Sequence, residues 1–89
     1  MPNAYEDWIA AYATRVGSVY MMCLEASTEM VQQFPELTLI KGAVVSAASG
    51  KRYCHCWCKT PAGQIVDPTK QQFGNAQIKY EEYKGSNRG

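Results

Sequence analysis

His55 is the only histidine in this 89-residue chain, and Asp67 follows it by twelve positions; together they have the types and spacing for proton chemistry. An imidazole can take and return a proton near neutral pH, and a carboxylate beside it fixes its tautomer and stabilises its charged form. What such a pair serves best is a thiol, a poor nucleophile until a base makes it a thiolate. Cys23 lies upstream in a stretch with helical patterning, so Cys23, His55 and Asp67 offer nucleophile, base and orienting acid. A backbone N–H near the start of that helix would donate to an oxyanion formed during acyl transfer. Trp57, Thr69 and Gln72 are the candidate site-lining residues, Trp57 as a wall against water and the other two as hydrogen-bonding groups.

The elements that must position these residues can be read from turns and periods. Pro61-Ala62-Gly63 between Arg52–Thr60 and Gln64–Val66 predicts a hairpin, with Pro61 in the first turn position and Gly63 in a left-handed one. If Thr60 pairs with Gln64, Trp57 faces Asp67 and His55 faces Thr69, so these four share one face of the sheet. His55 and Asp67 are then diagonal neighbours roughly 7–8 Å apart or less at their β-carbons, a gap their side chains can bridge. Upstream, Trp8, Ile9, Tyr12, Ala13 and Val16 predict a helix over 5–16, with Asn3 as cap and Gly17 as stop. A second helix is predicted over 19–34, with Tyr20, Cys23, Ala26, Ser27, Met30, Val31 and Phe34 near one stripe, Ser18 as its cap and Pro35 ending it. Residues 37–45 read as a strand with a break or bulge at Gly42, and Ile78-Lys79-Tyr80 as a last short strand or helical turn.

Cys54, Cys56 and Cys58 alternate with His55 and Trp57 and must point to the opposite face. Alternate residues on a strand sit about 6.5–7 Å apart, which disfavours a disulfide between them, and zinc knuckles draw paired ligands from turns and not from one strand. The expectation is therefore reduced thiols packed on a helix, no metal and no cofactor. Nine basic and eight acidic residues give a net charge of +1, with no basic cluster to neutralise phosphates, so nucleic acid is not an expected partner. No run approaches the ~18 apolar residues of a membrane span, and no secretion signal opens the chain, which points to a cytoplasmic protein with no membrane partner. At 46% hydrophobic and 19% charged residues, the composition is that of one globular core, expected over 1–84 with a flexible tail over 85–89.

The residues Cys23-Leu24-Glu25-Ala26-Ser27, Phe34-Pro35-Glu36-Leu37, Lys41-Gly42, His55-Cys56-Trp57, Gly63-Gln64-Ile65-Val66-Asp67-Pro68-Thr69, Gln72-Phe73 and Tyr80-Glu81-Glu82-Tyr83 resemble a family of small phage and bacterial proteins. The pattern is Cys-x-x-Ala-Ser, His-x-Trp and Asp-Pro-Thr in that order, over Cys23 to Tyr83. More loosely, it is similar to the transglutaminase-like and papain-like core, in which a helix carries the cysteine and adjacent strands carry histidine and aspartate. The papain pattern has a glutamine six residues before its cysteine, where this chain has Gly17. The resemblance implies an α+β fold with two N-terminal helices on a small antiparallel sheet. It also implies a Cys23-His55-Asp67 triad acting on an amide, isopeptide or thioester carbonyl.

Two partners follow from two readings. A cysteine hydrolase or acyl transferase would take a protein or peptide substrate. A non-catalytic binding or host-defence inhibitor protein on the same scaffold would take a host protein, in the host cytoplasm if phage-encoded. A core this small is compatible with a monomer or a homodimer.

Overall fold

A computed structural model describes residues 3–18, 21–74 and 77–83 of the chain. Asn3 caps the first helix, α1 (Ala4–Val16), its side chain accepting from the N–H groups of Tyr5 and Glu6, and Gly17 ends it at φ 83°. The second helix, α2 (Cys23–Gln33), starts four residues later than the apolar pattern predicts. Met21 takes a left-handed φ of 61°, which breaks helical geometry just before it. The expected opening residues Val19 and Tyr20 lie outside the described residues, as does the tail expected over 85–89.

Four antiparallel strands follow: β1 (Thr38–Ser46), β2 (Arg52–Lys59), β3 (Ile65–Val66) and β4 (Ile78–Glu82), in the order β3-β2-β1-β4. The arrangement is α+β, two helices followed by an antiparallel sheet. The hairpin register is the predicted one, with Cys58 opposite Val66 and the Thr60 N–H donating to the Gln64 carbonyl, while Gly63 sits at φ 89°. No helix among the described residues is long and apolar enough to cross a membrane.

Each face of the sheet has its own task. Ala26, Ser27 and Met30 of α2 are buried, and Met30 packs with Leu37 and Cys58 under Tyr5, Trp8 and Ile9 of α1. The other face carries His55, Trp57, Val44 and Tyr80, and Gly42 lies between them. Gly42 makes neither a break nor a bulge: β1 pairs continuously through it, opposite His55 on one side and Glu82 on the other. Its role is close approach, because a Cβ there would lie 2.1 Å from the Glu81 carbonyl oxygen and 2.7 Å from Cη2 of Trp57.

Candidate functional site

His55 and Asp67 meet as the hairpin register requires. The His55 Nε2–H donates to Asp67 Oδ2 at 2.7 Å, and the two side chains are only 2% and 1% exposed. Tyr80 donates its O–H to the same oxygen at 2.9 Å, and Thr69 donates its N–H to Oδ1 at 3.0 Å and its hydroxyl at 3.4 Å. Four donors around one acceptor-only group match a carboxylate and put the imidazole proton on Nε2. Nδ1 makes no hydrogen bond among the described residues, and His55 lines an open cavity.

Three rings hold the imidazole. Trp57 stacks on it at 5.9 Å, Phe73 meets it edge-on at 5.0 Å, and Tyr80 meets Trp57 edge-on at 4.9 Å. Trp57 and Thr69 are fully buried, so they support His55 and Asp67 from behind and do not face the cavity, as a site-lining role would have them do. Gln72 does face it, together with Phe73 from the same 3₁₀ turn, Lys70–Phe73. Tyr80 was not legible as a site residue, because its strand reaches Asp67 only through pairing with β1. The one signal for it was the Tyr80-Glu81-Glu82-Tyr83 motif.

Cys23 is the first residue of α2. The N-cap, Met22, makes no side-chain cap bond, so no cap among the described residues occupies the first-turn N–H groups. Cys23, His55, Gln72, Met21, Tyr53 and Phe73 share the wall of an open cavity of about 680 Å³. No hydrogen bond joins Cys23 to His55 among the described residues. The Cys23 thiol instead lies beside Cys56, and both line, together with His55, a smaller cavity of about 210 Å³. The structure thus brings His55, Asp67, Thr69, Gln72 and Trp57 into one cluster and leaves Cys23 at its edge.

Contrary to the expectation, the strand cysteines do not form a uniform apolar face on the helix. Cys58 alone is core, its thiol donating to the Ser27 carbonyl at 3.6 Å, and burial pushes its pKa up to about 11. Burial likewise pushes Cys56 up to about 11, helped by the neighbouring Cys23 thiol. Cys54 is exposed, with its sulfur 3.5 Å from the Tyr83 hydroxyl. All four cysteines are free thiols, and among the described residues no three His, Cys, Asp or Glu side chains converge as a metal site. Comparison with protein-family models, curated proteins and solved structures returns no match to this chain.

Proposed function

We propose that this protein is a cysteine hydrolase or acyl transferase of the papain-like or transglutaminase-like kind, acting in the cytoplasm on an amide, isopeptide or thioester of a protein or peptide. One observation carries the reading: a buried His55–Asp67 pair leaves Nδ1 without a hydrogen bond among the described residues, and His55 lines a cavity together with a cysteine at a helix start that has no side-chain cap. A cysteine side chain has three staggered wells, and catalytic hydrogen bonds are often loose without substrate. Catalysis then requires that rotation of Cys23 away from Cys56 bring its sulfur into the cavity it shares with His55.

The steps then follow. Nδ1 takes the thiol proton while Asp67 stabilises the imidazolium through Nε2–H. The thiolate attacks the acyl carbon, and the first-turn N–H groups of α2 receive the developing oxyanion. The carbon–heteroatom bond breaks, His55 returns the proton to the departing amine or thiol, and an acyl thioester remains on Cys23. Water or a second nucleophile, deprotonated by His55, releases the acyl group and restores the thiol.

Iodoacetamide labelling read by peptide mass spectrometry tests this. Cys23 is expected to react at least about tenfold faster than Cys56 and Cys58, which stay protonated to about pH 11, and His55→Ala is expected to slow Cys23 by about tenfold. Asp67→Asn, which keeps the side-chain shape, is expected to slow it as well. Equal, slow labelling of all four cysteines would sink the enzyme reading. The second reading, a non-catalytic binding protein, draws on exposed Met21, Leu24 and Tyr53 near Cys23 and is favoured if a partner stays bound to Cys23→Ala.

A further inference from the structure

We propose that Gln72 is the positioning residue that ties the turn carrying Cys23 to the His55–Asp67 pair, an inference that rests on the enzyme reading above for its consequence though not for its geometry. The tie is a chain of hydrogen bonds whose direction is set by its end. Asp67 only accepts, so the Thr69 hydroxyl, 3.4 Å from Oδ1, donates to it. The Thr69 oxygen is then left to accept, and it receives the Gln72 Nε2–H at 3.0 Å. This fixes the amide orientation and turns Gln72 Oε1 outward, where it accepts the Met21 N–H at 3.4 Å. One side chain thus spans from the residue two positions before Cys23 to the carboxylate that holds His55.

Met21 needs such a hold. It is the one non-glycine residue with positive φ among those described, a conformation that ordinary side chains seldom adopt. Met21 is 78% exposed, so burial of its own side chain does not hold the turn. The hydrogen bond to Gln72 does, and the turn determines where α2 begins and hence that Cys23 is its first residue. Gln72 also carries Phe73 beside it against the His55 ring, so one 3₁₀ turn touches both halves of the site.

Two variants and two readouts test the tie. Gln72→Met keeps the length and removes both polar ends; Gln72→Glu keeps an acceptor for Met21 and removes the donor to Thr69. Amide exchange at Met21 is expected to accelerate about tenfold in Gln72→Met and to stay near the native rate in Gln72→Glu. Iodoacetamide labelling of Cys23 is expected to slow about fivefold in both, because each breaks the link at one end. Unchanged Met21 exchange in Gln72→Met overturns the tie. Faster exchange with unchanged, selective Cys23 labelling overturns the positioning role and reduces the bond to a structural one. If native Cys23 labels no faster than Cys54, the enzyme reading fails, and Met21 exchange alone still decides whether the tie exists.

Discussion

Asp67 Oδ2 accepts from both His55 and Tyr80, and this sharing governs what the pair can do. Burial, then the Asp67 charge, then the hydrogen bond to it push the Tyr80 phenol well above its ordinary range, so it remains a donor at any working pH. The Tyr80 O–H keeps the carboxylate aimed without the need for a second base. Tyr80→Phe removes one donor to a buried charged group, and a loss of about 1.5–3 kcal/mol is expected in denaturant unfolding. A loss under about 0.5 kcal/mol would mean that His55 and Thr69 suffice to hold Asp67. The His55–Asp67 contact was legible in the sequence because a three-residue turn sets a local register. Tyr80 was not, because its position depends on a strand pairing formed across β1.

At the scale of elements, the sheet face that holds His55 depends on an absent side chain. Gly42 lies opposite His55 in β1, and the Trp57 ring edge and the Glu81 carbonyl occupy the space over it. Gly42→Ala would drive a methyl into backbone on one side and an indole on the other. A cost of about 3 kcal/mol or more is expected, above ordinary overpacking, with a shift in Trp fluorescence as Trp57 moves. A stability change within about 0.5 kcal/mol would show that β4 yields easily. The sequence marked Gly42 as an interruption in an apolar run, but the same signal fits a bulge and a close approach. Only the ring that fills the gap separates them. The start of α2 was misread for a similar reason: apolar periodicity runs through 19–22, whereas the positive φ at Met21, whose N–H donates to Gln72 fifty-one residues on, is not written in the local sequence.

At the scale of the whole molecule, buried acids on both faces of the sheet make stability fall at alkaline pH. Cys58 has no exposed surface between the sheet and α2, and its proton is held to about 11 against an ordinary value of 9.0, chiefly by burial. A raised acid pKa means that the folded state keeps a proton the unfolded chain has lost. Between pH 9 and about 11 the unfolded state therefore binds fewer protons, so stability is full below pH 9 and falls as pH rises through that window. Cys56 and Tyr80 add the same sign. The expected loss from Cys58 is about 2 kcal/mol, read as a falling denaturant midpoint from pH 8 to 11. Cys58→Ala should flatten part of that slope at the cost of a lower midpoint at pH 8. An equal slope in the variant would place the alkaline sensitivity in Cys56 and Tyr80 and not in Cys58.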